Sequence, residues 1–134
     1  MLLTKECDYG IRIIRTLSNG TKKTVEAICE AEHIPRQYAY KILKKLEQAG
    51  FLISLRGRDG GYQLVKSLGT FTLYDVITAV DEKLFVFECL KDGISCPLNT
   101  KKSPCAIHKE FALVQNMLKD SLTSKFMDEI IISQ

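Results

Sequence analysis

Three cysteines and one histidine are the residues best suited to chemistry in this sequence. Cys89, Cys96 and Cys105 lie in one stretch, and His108 follows the last of them by three positions. Because three residues are close to one helical turn, the imidazole of His108 can point back toward Cys105. Thiolates and imidazoles bind zinc or iron-sulfur clusters, and a bound cation relieves the repulsion between crowded thiolates. The stretch is therefore predicted to bind a metal.

The spacing of these cysteines leaves the identity of the metal open. Six residues separate the first pair and eight separate the second, whereas structural zinc knuckles usually separate their cysteines by about two to four residues. The odd count of five cysteines, without an export signal, argues against a disulfide framework. Cys7 and Cys29 lie on predicted helices and are expected to be small buried apolar residues.

A second group of polar residues follows a helical period. Pro35 and Gly50 bracket a predicted helix with one apolar stripe, Pro35 standing at its first position. The opposite stripe is cationic and rich in hydrogen-bond donors, and consists of Arg36, Gln37, Tyr40, Lys41 and Lys44. Arg36 and Gln37 are suited to reading base edges, and the lysines to binding phosphates.

Two short strands are predicted immediately after this helix, at residues 51–56 and 62–65. The glycine-rich turn between them can adopt the positive φ angles of a hairpin tip. Arg56 and Arg58 give the hairpin a basic edge that suits phosphates or a narrow minor groove, and Gly60 belongs to the same contact surface.

The order of elements around these residues favours DNA binding. A helix over residues 4–18 and a short helix capped by Thr24 precede the cationic helix and the hairpin, which is the order of a winged helix-turn-helix. Residues 1–66 carry 12 Lys and Arg against 7 Asp and Glu, whereas residues 67–134 carry 7 against 9. We therefore expect a mainly α fold with a small β-hairpin wing, in which the third helix enters the major groove.

The second half of the sequence predicts a loop and an oligomerisation helix. A capping box at residues 72–75 begins a helix that ends near Asp81, and glycines and prolines make residues 88–104 a loop. A long helix starts at Ala106, and residues 128–132 favour a short closing helix that folds back, with a strand or a frayed tail as the alternatives. The expected divisions are 1–82 (DNA binding), 83–105 (the cysteine loop) and 106–134 (dimerisation helix and tail). The predicted dimer seam of the long helix is Ile107, Phe111, Val114, Leu118 and Leu122.

Three motifs resemble a known family. They are Leu3-Thr4-Lys5 with Asp8-Tyr9-Gly10-Ile11-Arg12, Arg56-Gly57-x-x-Gly60-Gly61-Tyr62-x-Leu64, and Val76-Ile77-x-Ala79-Val80-Asp81. Together they make the chain similar to the winged-helix iron-sulfur transcriptional regulators of the IscR and NsrR type over essentially its whole length. The resemblance implies a homodimer that crosses through the C-terminal helix and binds double-stranded DNA at a roughly palindromic operator.

The same resemblance implies ligands for an iron-sulfur cluster. Cys89, Cys96 and Cys105 match the three cysteines of the cluster-binding members, although the gaps here are longer than is usual in the family. His108 matches the IscR-like fourth ligand, and Asp8 matches the position from which the partner subunit supplies an acid in the NsrR-like pattern, so the fourth ligand stays open. A 2Fe-2S cluster is favoured, 4Fe-4S is possible, and zinc is the alternative.

The function expected from sequence is therefore a cytoplasmic regulator, such as a repressor, whose affinity for DNA follows redox poise, iron-sulfur status or nitric oxide. A thiol- or zinc-dependent regulator of the same fold is the first alternative, and an iron-sulfur carrier is the second. No enzyme is expected, because the sequence has no Ser-His-Asp, paired-carboxylate or phosphate-loop arrangement. No membrane association is expected either, since no run approaches about 18 apolar residues.

Overall fold

The computed structural model describes residues 3–81 and 84–131. This part of the chain is mostly helical and has one antiparallel hairpin, which agrees with the predicted fold class. The elements are α1 (Lys5–Thr16), α2 (Val25–Glu32), α3 (Arg36–Gln48), β1 (Leu52–Leu55), β2 (Gly61–Leu64), α4 (Leu73–Val80), α5 (Ala106–Thr123) and α6 (Met127–Ile131), with short 3₁₀ turns at Leu68–Thr70 and Glu88–Leu90.

Side-chain caps fix where the helices begin. The hydroxyl of Thr24 accepts a hydrogen bond from the backbone N–H of Ala27, so the predicted cap of α2 is confirmed. The predicted capping box is also confirmed, since Thr72 and Asp75 each bind the backbone N–H of the other. Pro35 is the residue before α3 rather than its first helical position, so that helix begins one residue later than predicted.

The hydrophobic core joins the first three helices, the base of the hairpin and α4. Its buried members include Ile13 of α1, Ile28 of α2 and Ile42 of α3. Phe51 and Phe71 meet edge to face within this core, with their ring centroids 4.9 Å apart. A second, smaller cluster contains Cys7, Ile77 and Leu84, and partly buried Leu3, Ile11, Leu73, Tyr74, Leu118 and Leu122 pack against it.

The hairpin is held against the helices at its base. Leu52 pairs with Leu64, and Leu55 pairs with Gly61 next to the turn. Beyond the hairpin, Lys23 and Tyr62 exchange backbone hydrogen bonds of 2.9 and 2.8 Å. A Cβ atom at Gly61 would lie 2.4 Å from the carbonyl oxygen of Lys23, so only glycine permits this close approach. The wing is therefore fixed to the segment that leads into α2.

The C-terminal helices differ in how they pack. None of the 18 residues of α5 is buried, whereas Met127 of α6 is buried and its N–H donates to the carbonyl of Phe71. The predicted closing helix thus exists and folds back onto the first core, although its predicted last residue, 132, lies outside the described residues. Within residues 3–81 and 84–131, no helix is long and apolar enough to cross a membrane.

Part of the predicted seam of α5 packs within its own chain, and the seam as a dimer contact stays a prediction. Leu118 and Leu122 pack against the second cluster of their own chain, and the ring of Phe111 stacks on Phe87. In addition to Ile107, three apolar side chains of α5 are exposed: Leu113, Val114 and Met117. The apolar surface that α5 leaves open is therefore centred on these residues.

Candidate functional site

The cationic stripe predicted on the third helix lies on the solvent side of α3. All five of its residues are exposed, and they are Arg36, Gln37, Tyr40, Lys41 and Lys44. The opposite side of α3 is buried in the core through Ala39, Ile42, Leu43 and Leu46. Because the helix is fixed by its apolar side, its donors are held in one orientation on a rigid support.

Two carboxylates from other helices hold part of this stripe, which the sequence did not indicate. Glu6 of α1 accepts hydrogen bonds from Lys41 at 2.8 Å and from Lys45 at 3.0 Å. These two bonds lower the pKa of Glu6 below its ordinary value, and the bond to Glu6 raises the pKa of Lys41. Glu26 of α2 forms an ion pair with Arg36. Arg36 and Lys41 are therefore oriented by acids of their own chain.

The wing carries cations without such partners. Arg56 and Arg58 are exposed, and within the part of the chain that the structure describes neither they nor Lys44 form an ion pair. Gly60 lies where the turn folds tightly, since a Cβ atom there would stand 2.5 Å from the carbonyl oxygen of Leu55. Its place in the site is thus to let the tip close, which presents the two arginines.

One face of α5 positions the segment that carries the first cysteine. The side-chain amide of Gln115 accepts from the N–H of Val86 and donates to the carbonyl of Leu84, both at 2.7 Å. One turn earlier, the ring of Phe111 stacks on Phe87 with the centroids 4.5 Å apart. These contacts fix residues 84–87 along α5. The turn of α5 that precedes Phe111 therefore faces the 3₁₀ turn Glu88–Leu90.

The cysteine loop contains two separate pairings. Sγ of Cys89 lies 3.3 Å from Nδ1 of His108, which stands one turn before Phe111 on α5. The other two cysteines are connected through Asn99: its N–H donates to the carbonyl of Cys96 at 3.0 Å, and its side-chain oxygen accepts from the N–H of Cys105 at 2.9 Å. All three thiols are free and half-buried.

The predicted metal ligands are of the chemical types that bind metals, but only two of them, Cys89 and His108, are in contact. Free thiols and an imidazole are the donors that iron-sulfur clusters and zinc prefer. Among residues 3–81 and 84–131, however, no group of three or more His, Cys, Asp or Glu side chains is close enough to hold a metal. The pair of Cys89 and His108 is therefore ready-made, and Cys96 and Cys105 would join it through a rearrangement of the loop.

The remaining candidates lie away from this loop in the single chain. Asp8 is exposed on α1, and its carboxylate accepts two hydrogen bonds from Arg12, at 3.0 and 2.8 Å. Cys7 is buried, and Cys29 is half-buried with its pKa raised by burial, so neither is placed as a ligand.

The residues that sequence reasoning missed act across long stretches of the chain. Glu6 and Lys41 are separated by 35 positions, and Leu84 and Gln115 by 31. Asn99, which lies between Cys96 and Cys105 and accepts from Cys105 through its side-chain oxygen, is the one local signal that could have been used. Asparagine in a loop is common for turn formation, so that signal alone does not predict the contact.

The comparison with protein families identifies the class. Residues 3–132 match the Rrf2 family, which is described as iron-dependent transcriptional regulators. A relative named protein aau3 from Rhizobium meliloti is 28% identical over 134 residues, which cover 98% of this chain and 85% of the relative. An rrf2-like HTH-type transcriptional regulator from Rhodobacter capsulatus is 27% identical, with 94% of this chain and 91% of the relative covered.

Solved structures have the same fold. CymR (YrzC), described as the global cysteine regulator of B. subtilis, superposes with a TM-score of 0.76 at 20% identity, covering 98% of this chain and 97% of the other. IscR from T. potens superposes with a TM-score of 0.73 at 18% identity, covering 98% and 86%. The family match extends over nearly the whole chain, and its winged-helix fold agrees with the arrangement of α1 to α3 and the hairpin. The chain therefore belongs to the Rrf2 family of transcriptional regulators.

Proposed function

We propose that this chain is a homodimeric, cytoplasmic transcription regulator that binds a palindromic operator and changes its affinity through the state of its cysteine loop. The observation that carries the proposal is the exposed cationic stripe of α3 beside a basic wing. In winged helix-turn-helix proteins the corresponding helix enters the major groove. Arg36 and Gln37, at the start of α3, are suited to base edges, and Lys41, Lys44 and the wing arginines to phosphates.

A second copy of the chain is the proposed partner of α5. Four large apolar side chains of this helix are exposed, Met117 by 70%. Exposed apolar side chains that follow one helix are the usual material of a helix-to-helix interface. A twofold axis along such an interface would place one α3 in each half-site of a palindrome.

The proposed control element is the cysteine loop, with Cys89, Cys96, Cys105 and His108 as ligands from one subunit and Asp8 of the partner as the other candidate. When bound, an iron-sulfur cluster would supply a charge and a redox couple at this place. Cys89 contacts His108 near the start of α5. Toward the other end of α5, Leu118 packs against the second hydrophobic cluster, which contains Cys7 of α1. A shift of the loop against α5 therefore has a packed route to the helices that hold α3.

A thiol-dependent regulator without a cluster is the second candidate. It is supported by the contact of Cys89 with His108 in a loop that has no assembled metal group among the described residues. The free, half-buried thiol of Cys89 can be oxidised reversibly to a sulfenic acid, which a thiol reductant restores. CymR is described as a cysteine regulator, and the likeness to it, which is one of fold, is compatible with this second candidate.

The DNA interface is tested by replacing Arg36 and Lys41 with alanine. We expect operator affinity to fall by about 10- to 100-fold, since each side chain that reads a base is worth roughly 1–3 kcal/mol. The slope of log affinity against log salt should become shallower by about 0.9 for each phosphate that the variant no longer binds. Lys125→Ala, which removes an exposed charge between α5 and α6, is the matched control. Equal binding by all variants would refute the proposed interface.

The two candidates for control are separated by anaerobic purification. A cluster predicts visible absorption with iron and sulfide in the protein, and Cys89→Ser should abolish both. A thiol switch predicts a colourless protein whose DNA affinity responds to a peroxide and recovers with a thiol reductant. Zinc without iron would exclude the cluster and favour the zinc-dependent form of the same regulator.

A further inference from the structure

Five cations face outward from α3 and the wing, and they fall into two classes. Lys44, Arg56 and Arg58 form no ion pair within residues 3–81 and 84–131, whereas Arg36 and Lys41 are each held by a carboxylate. An unpaired cation binds phosphates of any sequence, because the phosphate backbone is the same everywhere. A paired cation has to leave or share its acid when it binds DNA. The two classes should therefore contribute differently to specificity.

Glu26 is the clearer of the two acids, because its contribution to the stability of the fold is small. Its side chain is 60% exposed and that of Arg36 is 61% exposed, so their ion pair contributes little to stability. Thr24, not Glu26, caps α2, and the negative charge of Glu26 in the first turn of α2 makes only the small favourable interaction with the helix dipole that any acid makes there. An exposed acid beside the first residue of a DNA-reading helix repels the phosphates of DNA. We therefore ask what this acid contributes to binding.

The surroundings of Arg36 specify what that contribution is. The guanidinium belongs to the first residue of α3 and forms an ion pair with Glu26 of α2, and the exposed Tyr40 lies one turn along α3. Hydrogen bonding to Tyr40 and the nearby charge of Glu26 raise the pKa of Arg36. A guanidinium held by a carboxylate keeps its other N–H donors for a further partner, and their planar arrangement suits a base edge.

We propose that Glu26 is a specificity-determining residue: it holds Arg36 for base reading and makes its transfer to a phosphate unfavourable, which weakens binding to non-operator DNA. At an operator, the hydrogen bonds to a base replace the contacts with Glu26 or form beside them. At other sequences, Arg36 would have to leave Glu26 for one phosphate contact. This is discrimination by penalising the wrong partner rather than by strengthening the right one. The proposal rests on the proposed function, since it assumes that α3 reads DNA.

The test compares Glu26→Gln with a matched variant on the same helix. Glu30→Gln removes one exposed negative charge from α2, and within the described residues Glu30 has no ion pair. The probes are a duplex selected from a random pool by the wild-type protein and a shuffled duplex of the same composition. Binding is measured over a series of salt concentrations, since affinity for DNA depends strongly on salt.

Glu26→Gln should bind the shuffled duplex about 3- to 10-fold more tightly than Glu30→Gln does, with a salt slope steeper by about 0.9, the increment expected for one added phosphate contact. The selected duplex should gain less, so the ratio of the two affinities should fall several-fold. In a background of Arg36→Ala, the effect of Glu26→Gln should shrink to that of Glu30→Gln, because it acts through the guanidinium.

Two results would overturn the inference while the proposed function stands. One is that Glu26→Gln and Glu30→Gln change both affinities equally, and the other is that the effect of Glu26→Gln survives the removal of Arg36. A wild-type protein that selects no duplex from the pool would instead refute the proposed function, and this inference with it. Circular dichroism of each variant shows whether the fold is kept.

Discussion

The winged domain and α5 with its cysteine loop differ in how far a single chain completes them. The winged domain has a continuous core in which Ile13, Ile42 and Phe71 are fully buried. In α5 no residue is buried, and in the nearby loop the thiol of Cys89 contacts His108 whereas Cys96 and Cys105 are connected to Asn99 only through backbone groups. An exposed apolar surface is typical of a contact with a partner. Metal ligands that lie apart in the free chain can come together when the metal binds. The contrast agrees with the proposed function, in which the winged domain recognises DNA and α5 with its cysteine loop controls the affinity.

The largest effect is expected in the winged domain. Phe71→Ala removes a fully buried ring that meets Phe51 in the core, so we expect a loss of about 3–5 kcal/mol of unfolding free energy. Chemical denaturation followed by circular dichroism measures it. Ile107→Ala, at an exposed position of α5, is the control and should change the stability of the monomer very little. Comparable losses in both variants would remove the contrast between the winged domain and α5.

The next effect is expected in self-association. Met117→Glu places a charge in the middle of the exposed apolar surface of α5, and we expect it to weaken the dimer by at least about 30-fold, or roughly 2 kcal/mol. Sedimentation equilibrium gives the dissociation constant directly. Asn116→Glu adds the same charge at the neighbouring exposed position and should have a smaller effect. A dimer that tolerates Met117→Glu would place the interface elsewhere.

The smallest effect concerns the acid that holds α3. The pKa of Glu6 is lowered in the folded state by Lys41 and Lys45, so its stabilising contribution is complete above about pH 4.5, its ordinary value, and disappears as the pH falls through the lower folded pKa. Unfolding free energies of the wild type and Glu6→Gln, measured from pH 7 to pH 3, should therefore differ at neutral pH and converge in acid. A difference that grows as the pH falls would contradict this assignment.

Local and periodic features were predictable from the sequence. The stripe of α3 is predictable because a helix with one buried face exposes the residues opposite to it, and the capping box because Thr72 and Asp75 bind each other over three positions. The wing is indicated by its glycines, which the fold requires at Gly60 and Gly61 because a side chain there would meet backbone atoms. Each of these signals is contained in a few neighbouring residues.

Features that depend on the packing of distant segments were not predictable. The period of α5 shows that Leu118 and Leu122 are on an apolar face, but it does not tell whether that face meets the rest of its own chain or a second copy. The same holds for Glu6, whose two lysines follow 35 and 39 positions later. For the cysteine loop, the ligand types were readable from the sequence, whereas the pairing of Cys89 with His108 required the position of residues 84–87 on α5.

Control of DNA binding by the cysteine loop is tested most directly by the operator affinity of one anaerobic preparation, measured as purified and again after its iron has been removed by a chelator under reducing conditions. We expect the two affinities to differ by about 5- to 150-fold, the range given by a coupling of about 1–3 kcal/mol, and Cys89→Ser to remove the difference. Equal affinities of the two forms, at every salt concentration tested, would contradict control of DNA binding by a metal at this loop.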